Sequence, residues 1–183
     1  MELLKEIFLK RIYKKMGKRI ELTIRHAAIE DAAKISELES LCFPPAEAAS
    51  KEEISRRIRV FPNHFWLGFY GEKLISFVNG MTTNQTDLCD EMYGNENLHD
   101  EAGCWQMIFG VDTDPEYRKQ GFASAVMRAA ISDSHAQNRK GLVLTCKEKL
   151  IPFYEHFGFE NEGVSSSEHG DVKWYQMRLK FKN

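Results

Sequence analysis

Gly110-Val111-Asp112-Thr113-Asp114-Pro115-Glu116-Tyr117-Arg118-Lys119-Gln120-Gly121-Phe122-Ala123 decides how this chain of 183 residues is read. An apolar run from Met107 to Val111 enters the stretch as a strand. A polar turn with one proline follows, and Arg-x-x-Gly-x-Ala then opens into a helical pattern. A turn of this kind leaves unpaired backbone N–H groups at a helix N-terminus, where the helix dipole also favours anions. Gly121 lets a ligand approach the backbone, and Arg118 and Lys119 add positive charge. The expected chemistry is a pyrophosphate cradle. The stretch is not a phosphate loop of the Gly-Lys-Ser/Thr kind, nor a Gly-x-Gly-x-x-Gly dinucleotide fingerprint.

A second segment adds to the first. Leu142 to Cys146 has the apolar, β-branched character of a short buried strand, and Ile151-Pro152-Phe153-Tyr154-Glu155-His156-Phe157-Gly158-Phe159 follows shortly after. Arg118-x-x-Gly121-x-Ala123 resembles the acyl-CoA motif of the GNAT acetyltransferase superfamily, although the spacing from Val111 to Pro115 is longer than in many members. Phe153-Tyr154 before Gly158-Phe159 is similar to the ending of that family's strand and helix. Ile151-Pro152-Phe153-Tyr154, Cys146 and the Cys42-Phe43-Pro44-Pro45 loop resemble the arylalkylamine N-acetyltransferase branch. The resemblance spans roughly residues 22–181.

It implies an α/β fold with a mixed central sheet of about seven strands and flanking helices, and one acetyltransferase domain over residues 21–183. It implies acetyl-CoA as co-substrate, held by Phe109, Gly110, Val111, Arg118, Lys119, Gln120, Gly121, Phe122, Ala123 and Ser124, with no metal. Tyr154 is the implied acid for the CoA thiolate. Phe43, Pro44, Glu91 and Trp105 are candidate contacts to a small-molecule amine, an arylalkylamine or a polyamine. Alternatives are a protein or peptide amine, or a non-catalytic acetyl-CoA-binding module. An alkyl amine titrates near 10.4, so keeping it neutral at pH 7 costs about 4–5 kcal/mol. Desolvation or a general base can supply part of this. The vertebrate-type His-x-His positions hold Trp105 and Met107 here, so the base has to lie elsewhere. Asp90, Glu91, His99, His64, His135 and His156 are the residues considered for it.

Composition sets the remaining expectations. A 43% hydrophobic chain of this length forms one well-buried domain. No apolar run reaches the ~18–20 residues that span a bilayer. Cys42, Cys89, Cys104 and Cys146 show no metal-ligand pairing, which favours reduced thiols and a cytoplasmic protein. Residues 1–20 carry seven Lys/Arg and two Glu, and the other 18 Lys/Arg and 25 Asp/Glu leave the body at −7. An acidic body favours cationic small molecules and disfavours nucleic acid. Residues 3–16 place Leu4, Phe8, Ile12 and Met16 at four-residue spacing, which predicts a basic amphipathic helix within an N-terminal segment, residues 1–20. This helix is expected to dock on its own domain or on a second copy, giving a homodimer. The long loop over residues 82–101, with six carboxylates from Asp87 to Glu101, is expected to help capture a cationic amine.

Overall fold

The computed structural model describes residues 11–15, 18–168, 170 and 172–182. Eight strands form one sheet in the order β1-β2-β3-β4-β5-β6-β8-β7. They are β1 (Arg11–Lys15), β2 (Lys18–His26), β3 (Phe65–Tyr70), β4 (Lys73–Thr83), β5 (Trp105–Thr113), β6 (Gly141–Cys146), β7 (Glu160–Val164) and β8 (Tyr175–Lys180). All neighbours run antiparallel except β5 and β6, which are joined through a helix and pair in parallel. The helices are α1 (Ala32–Cys42), α2 (Lys51–Val60), the single-turn α3 (Glu91–Gly94), α4 (Phe122–Ala136) and α5 (Ile151–Glu155).

The sheet separates two apolar layers. Val126, Met127 and Ala130 of α4 pack with Ile75, Val78, Ile108, Leu142 and Tyr154 on one face. Ile35 and Leu38 of α1 and Ile54 and Ile58 of α2 pack with Phe65, Phe77, Met81 and Met107 on the other. Residues 74–83 of β4 are therefore buried throughout, which explains the run Leu74-Ile75-Ser76-Phe77-Val78 where a one-sided strand would alternate. The start of α2 follows from its sequence. Ser50 Oγ accepts the Glu53 N–H at 3.2 Å, and Glu53 Oε2 accepts the Ser50 N–H at 2.8 Å.

Two departures from the sequence reading stand out. The expected N-terminal helix falls largely on residues 1–10, outside the described residues, but residues 11–15 at its far end are strand β1, paired with β2. This pairing also makes the sheet one strand wider than the expected seven. The other departure is a bulge in β5. Asn79 lies opposite Gly110 and Gly80 opposite Ile108, so Phe109 is the extra residue. Phe109 packs with the α1–α2 layer while Val111, two residues on, packs with the α4 layer.

The bulge requires a close approach of the two strands. A Cβ on Gly80 would lie 1.7 Å from the Met107 carbonyl oxygen, whereas one on Gly94 would meet nothing within 4 Å. Gly80→Ala is expected to lower the unfolding free energy by about 3 kcal/mol in urea titrations, the upper part of the range for overpacking. Gly94→Ala, the control, should stay within about 0.5 kcal/mol of the parent.

Candidate active site

The pairing of β5 with β6 stops at Ile108 and Leu144. Beyond that point β5 stays bonded to β4 through Gly110 to Thr113, and β6 stays bonded to β8 through Thr145 and Cys146. The two strands part, and a cavity of about 660 Å³ fills the opening. Ile108, Phe109, Gly110 and Val111 line one wall, and Leu144, Thr145 and Cys146 the other. Backbone N–H and C=O groups freed from a ladder are strong donors and acceptors that need partners.

The turn after β5 is built as the sequence suggests. Asp114 Oδ1 accepts the Glu116 N–H at 2.9 Å, its Oδ2 meets Lys73 Nζ at 2.9 Å, and its own N–H bonds the Ile75 carbonyl at 2.9 Å. Arg118 Nε donates to the Thr113 carbonyl at 3.1 Å. Gly121 caps α4 at φ +90°, and having no side chain it leaves the first-turn N–H groups without a cap of its own. A Cβ there would meet nothing within 4 Å, so the left-handed backbone rather than crowding calls for glycine. Val111, Arg118, Lys119, Gly121, Phe122, Ala123 and Ser124 all line the cavity. Gln120 does not; it is exposed and donates to the Glu116 carbonyl at 3.2 Å. An uncapped helix N-terminus beside Arg118 and Lys119 fits a pyrophosphate, and the opened strands fit a narrow arm ending near Tyr154.

Tyr154 is 5% exposed and belongs to the cavity wall. Burial, aided by Cys146 and Asp112 nearby, pushes its phenol far above the ordinary range, so the hydroxyl keeps its proton. Cys146 is a packed thiol, pushed up to about 12 by burial. All four cysteines are free.

Phe43 and Pro44 line the cavity, as do Tyr93, Phe109 and Trp174. The rings of Tyr93 and Phe109 lie 5.0 Å apart, and the Arg57 guanidinium sits 5.1 Å over Phe109. Trp105 and Glu91 do not line it. Trp105 precedes the bulge, is buried in the α1–α2 layer and lies under the Arg178 guanidinium at 4.8 Å. Met107 is fully buried in the same layer.

The other bases considered also lie outside the lining. Asp90 accepts the Ser167 hydroxyl and the Glu168 N–H. His135 stacks edge-on against Phe181, and His156 sits beside Arg128. His64 and His99 each place Nε2 against Glu101 Oε2, at 3.1 and 3.2 Å. Gln106 donates its amide to the Met81 and Met107 carbonyls, and its oxygen lies 2.7 Å from His64 Nδ1.

The acidic loop is braced within the fold. Asp87 pairs with Arg178 at 2.7 Å, Glu96 with Arg56 at 3.2 Å, and Glu91 accepts the Asn95 amide at 3.0 Å. Its contribution to the cavity is Tyr93, whose hydroxyl lies 3.3 Å from Thr145 Oγ1 and is pushed up to about 12 by burial.

The sequence reading missed Glu39, Asn79 and Asp112. Glu39 is 5% exposed on the buried face of α1, four residues after Ile35, and a carboxylate on an apolar stripe was the available signal. Asp112 is fully buried, and neither carboxylate oxygen has a hydrogen-bond partner among the described residues.

A model of the Acetyltransferase (GNAT) family matches residues 32–159. The chain belongs to the GNAT acetyltransferase family. This GNAT protein is 24% identical over 154 residues to serotonin N-acetyltransferase of Mesocricetus auratus, covering 81% of the chain and 72% of that protein. Its fold matches the GphF GNAT-like decarboxylase in complex with isobutyryl-CoA at TM-score 0.76 and 17% identity, over 87% of this chain and 99% of that one. It matches the loading GNATL domain of CurA from Lyngbya majuscula at TM-score 0.74 and 17% identity, over 87% and 97%. Among the described residues no helix is long and apolar enough to cross a membrane.

Burial, with the Glu39 charge next, raises the Asp112 carboxyl well above the usual range. A carboxyl raised on folding contributes stability at low pH and loses it as pH climbs from the unfolded value towards the folded one. Asp112→Asn is therefore expected to raise the melting temperature at pH 8 by about 2–4 °C, the shift for roughly 1 kcal/mol in a chain this size. The gain should shrink at pH 4, which thermal unfolding at the two pH values measures.

Proposed function

We propose that this GNAT enzyme transfers an acetyl group from acetyl-CoA to the primary amine of a small molecule, an arylalkylamine in preference to a polyamine. The opening between β5 and β6 carries the reading, because it joins an anion-favouring helix terminus to an aromatic chamber with a buried phenol in its wall. The donor supplies an activated acyl carbonyl. Backbone groups at the bulge, Phe109 to Val111, are placed to hydrogen-bond the carbonyl oxygen, a contribution typically worth ~3–4 kcal/mol. Tyr154, which keeps its proton, returns one to the sulfur. Val111, Arg118, Lys119, Gly121, Phe122, Ala123 and Ser124 hold the donor.

Phe43, Tyr93, Phe109 and Trp174 give the acceptor side an aromatic lining, and this supports an aryl amine. The likeness to serotonin N-acetyltransferase points the same way. Four unpaired thiols support a reducing, cytoplasmic setting.

A thiol-release screen with aryl-ethylamines, polyamines and lysine peptides tests the assignment. The highest kcat/KM should fall among the aryl-ethylamines. A clear preference for lysine peptides would move the acceptor to proteins, and CoA binding without turnover on any amine would make the chain a binding module. Tyr154→Phe should lower kcat by ~10²–10⁴-fold, the usual contribution of a positioned acid, with acetyl-CoA affinity by calorimetry unchanged.

A further inference from the structure

Gly110 leaves a notch in the cavity floor on the α1 side of the sheet. A Cβ placed there would lie 3.0 Å from Asn79 Oδ1, 3.0 Å from Asp112 Oδ2 and 3.8 Å from Glu39 Oε2. Glu39, Asn79 and Gly110 line the cavity directly, and Asp112 stands behind them on β5. Glu39 is oriented by the Ala49 N–H, which bonds Oε1 at 3.1 Å. Asn79 Oδ1 and both Asp112 oxygens are buried with no hydrogen-bond partner among the described residues. Buried acceptors without donors are costly, and a ligand that brings N–H groups and positive charge relieves them.

We infer that Glu39 is the base that takes the proton of the incoming amine, and that Asp112 and Asn79 complete with it a notch selective for a cationic primary amine. The inference rests on the acetyltransferase reading above. Asp112 is a positioning residue and acts through Glu39. The charged and titratable groups around the pair are Cys42 on α1, Arg57 on α2 with Tyr93 of α3 beside it, Arg118 in the turn after β5, and the Tyr154 phenol across the opening. Cys42 donates to the Thr113 carbonyl at 3.3 Å, and burial pushes its thiol up to about 12, so it stays protonated. Arg57 binds the Tyr93 carbonyl. Two close carboxyls favour holding one proton between them, and their titration belongs to the pair.

The protons balance. The substrate ammonium loses its first proton to Glu39, which passes it to solvent. The nitrogen lone pair then forms the N–C bond while the C–S bond breaks, its electron pair leaving on sulfur. The second nitrogen proton goes to Glu39 as Tyr154 gives its phenol proton to the sulfur, and solvent exchange resets both groups. Glu39 lies on the α1 side of the sheet and Tyr154 in the α4 layer, so the two transfers occur on opposite faces of the opening.

Glu39→Gln and Asp112→Asn test this on the full chain. Glu39→Gln should lower kcat by ~10²–10⁴-fold, abolish the acidic limb of the kcat/KM–pH profile and leave CoA affinity by calorimetry unchanged. It should also weaken amine binding to the CoA-bound protein. Asp112→Asn should raise the amine KM and move the acidic limb down by about one pH unit, because it leaves Glu39 without a second carboxyl to share a proton with. Wild-type turnover with an intact limb in Glu39→Gln would overturn the inference while the acetyltransferase reading stands. Absence of amine turnover in the parent protein would overturn both. Should Glu39→Gln fail to fold, carbon-13 NMR of the parent's carboxyls decides. One carboxyl titrating well above the ordinary range, broadened by bound amine, supports the pair, and uniformly ordinary titrations overturn it.

Discussion

The structure turns on the point where β5 and β6 stop bonding to each other. Each strand stays fastened to its outer neighbour, β5 to β4 and β6 to β8, so the sheet opens along one seam without coming apart. The bulge at Phe109 re-aims the β5 side chains at that seam, and Gly80 lets β4 follow it closely. Freed backbone groups then face a cavity, where substrate atoms can satisfy them in place of a strand. The donor turn, the acceptor chamber and Tyr154 are all arranged around this opening.

The opening also divides the chemistry. α4 presents an uncapped N-terminus to one end of the cavity, as anion binding requires. α1 and α2 contribute Glu39 and Arg57 to its lining, joined by Phe43 just after α1 and Tyr93 of α3. Arg118, beside the helix terminus, also faces the Asp112 carboxyl, so the two regions adjoin. The acidic loop serves this division indirectly, since Arg178, Arg56 and the His64–Glu101–His99 cluster hold it in place so that Tyr93 faces inward.

Much of this was legible in the sequence because it is local. The Arg118-x-x-Gly121-x-Ala123 turn, the Ser50 capping box and the Tyr154 helix are each encoded within a few residues, and all three form. Long-range features were not legible. The pairing of Asp87 with Arg178 spans the second half of the chain, so the loop's carboxylates read as free for substrate when they brace the fold. Trp105 read as a substrate contact because alternation along β5 cannot show where a bulge falls. Glu39, Asn79 and Asp112 meet only because Gly110 has no side chain and three separate elements converge on it.

The most direct test of the account is a crystal structure with CoA bound. The pantetheine arm should run between β5 and β6 beyond Ile108 and Leu144, with the pyrophosphate on the N–H groups of residues 122–124 and the sulfur beside the Tyr154 hydroxyl. Density for the ligand outside the opening, or strands that pair through Val111 and Cys146 when CoA is present, would contradict it.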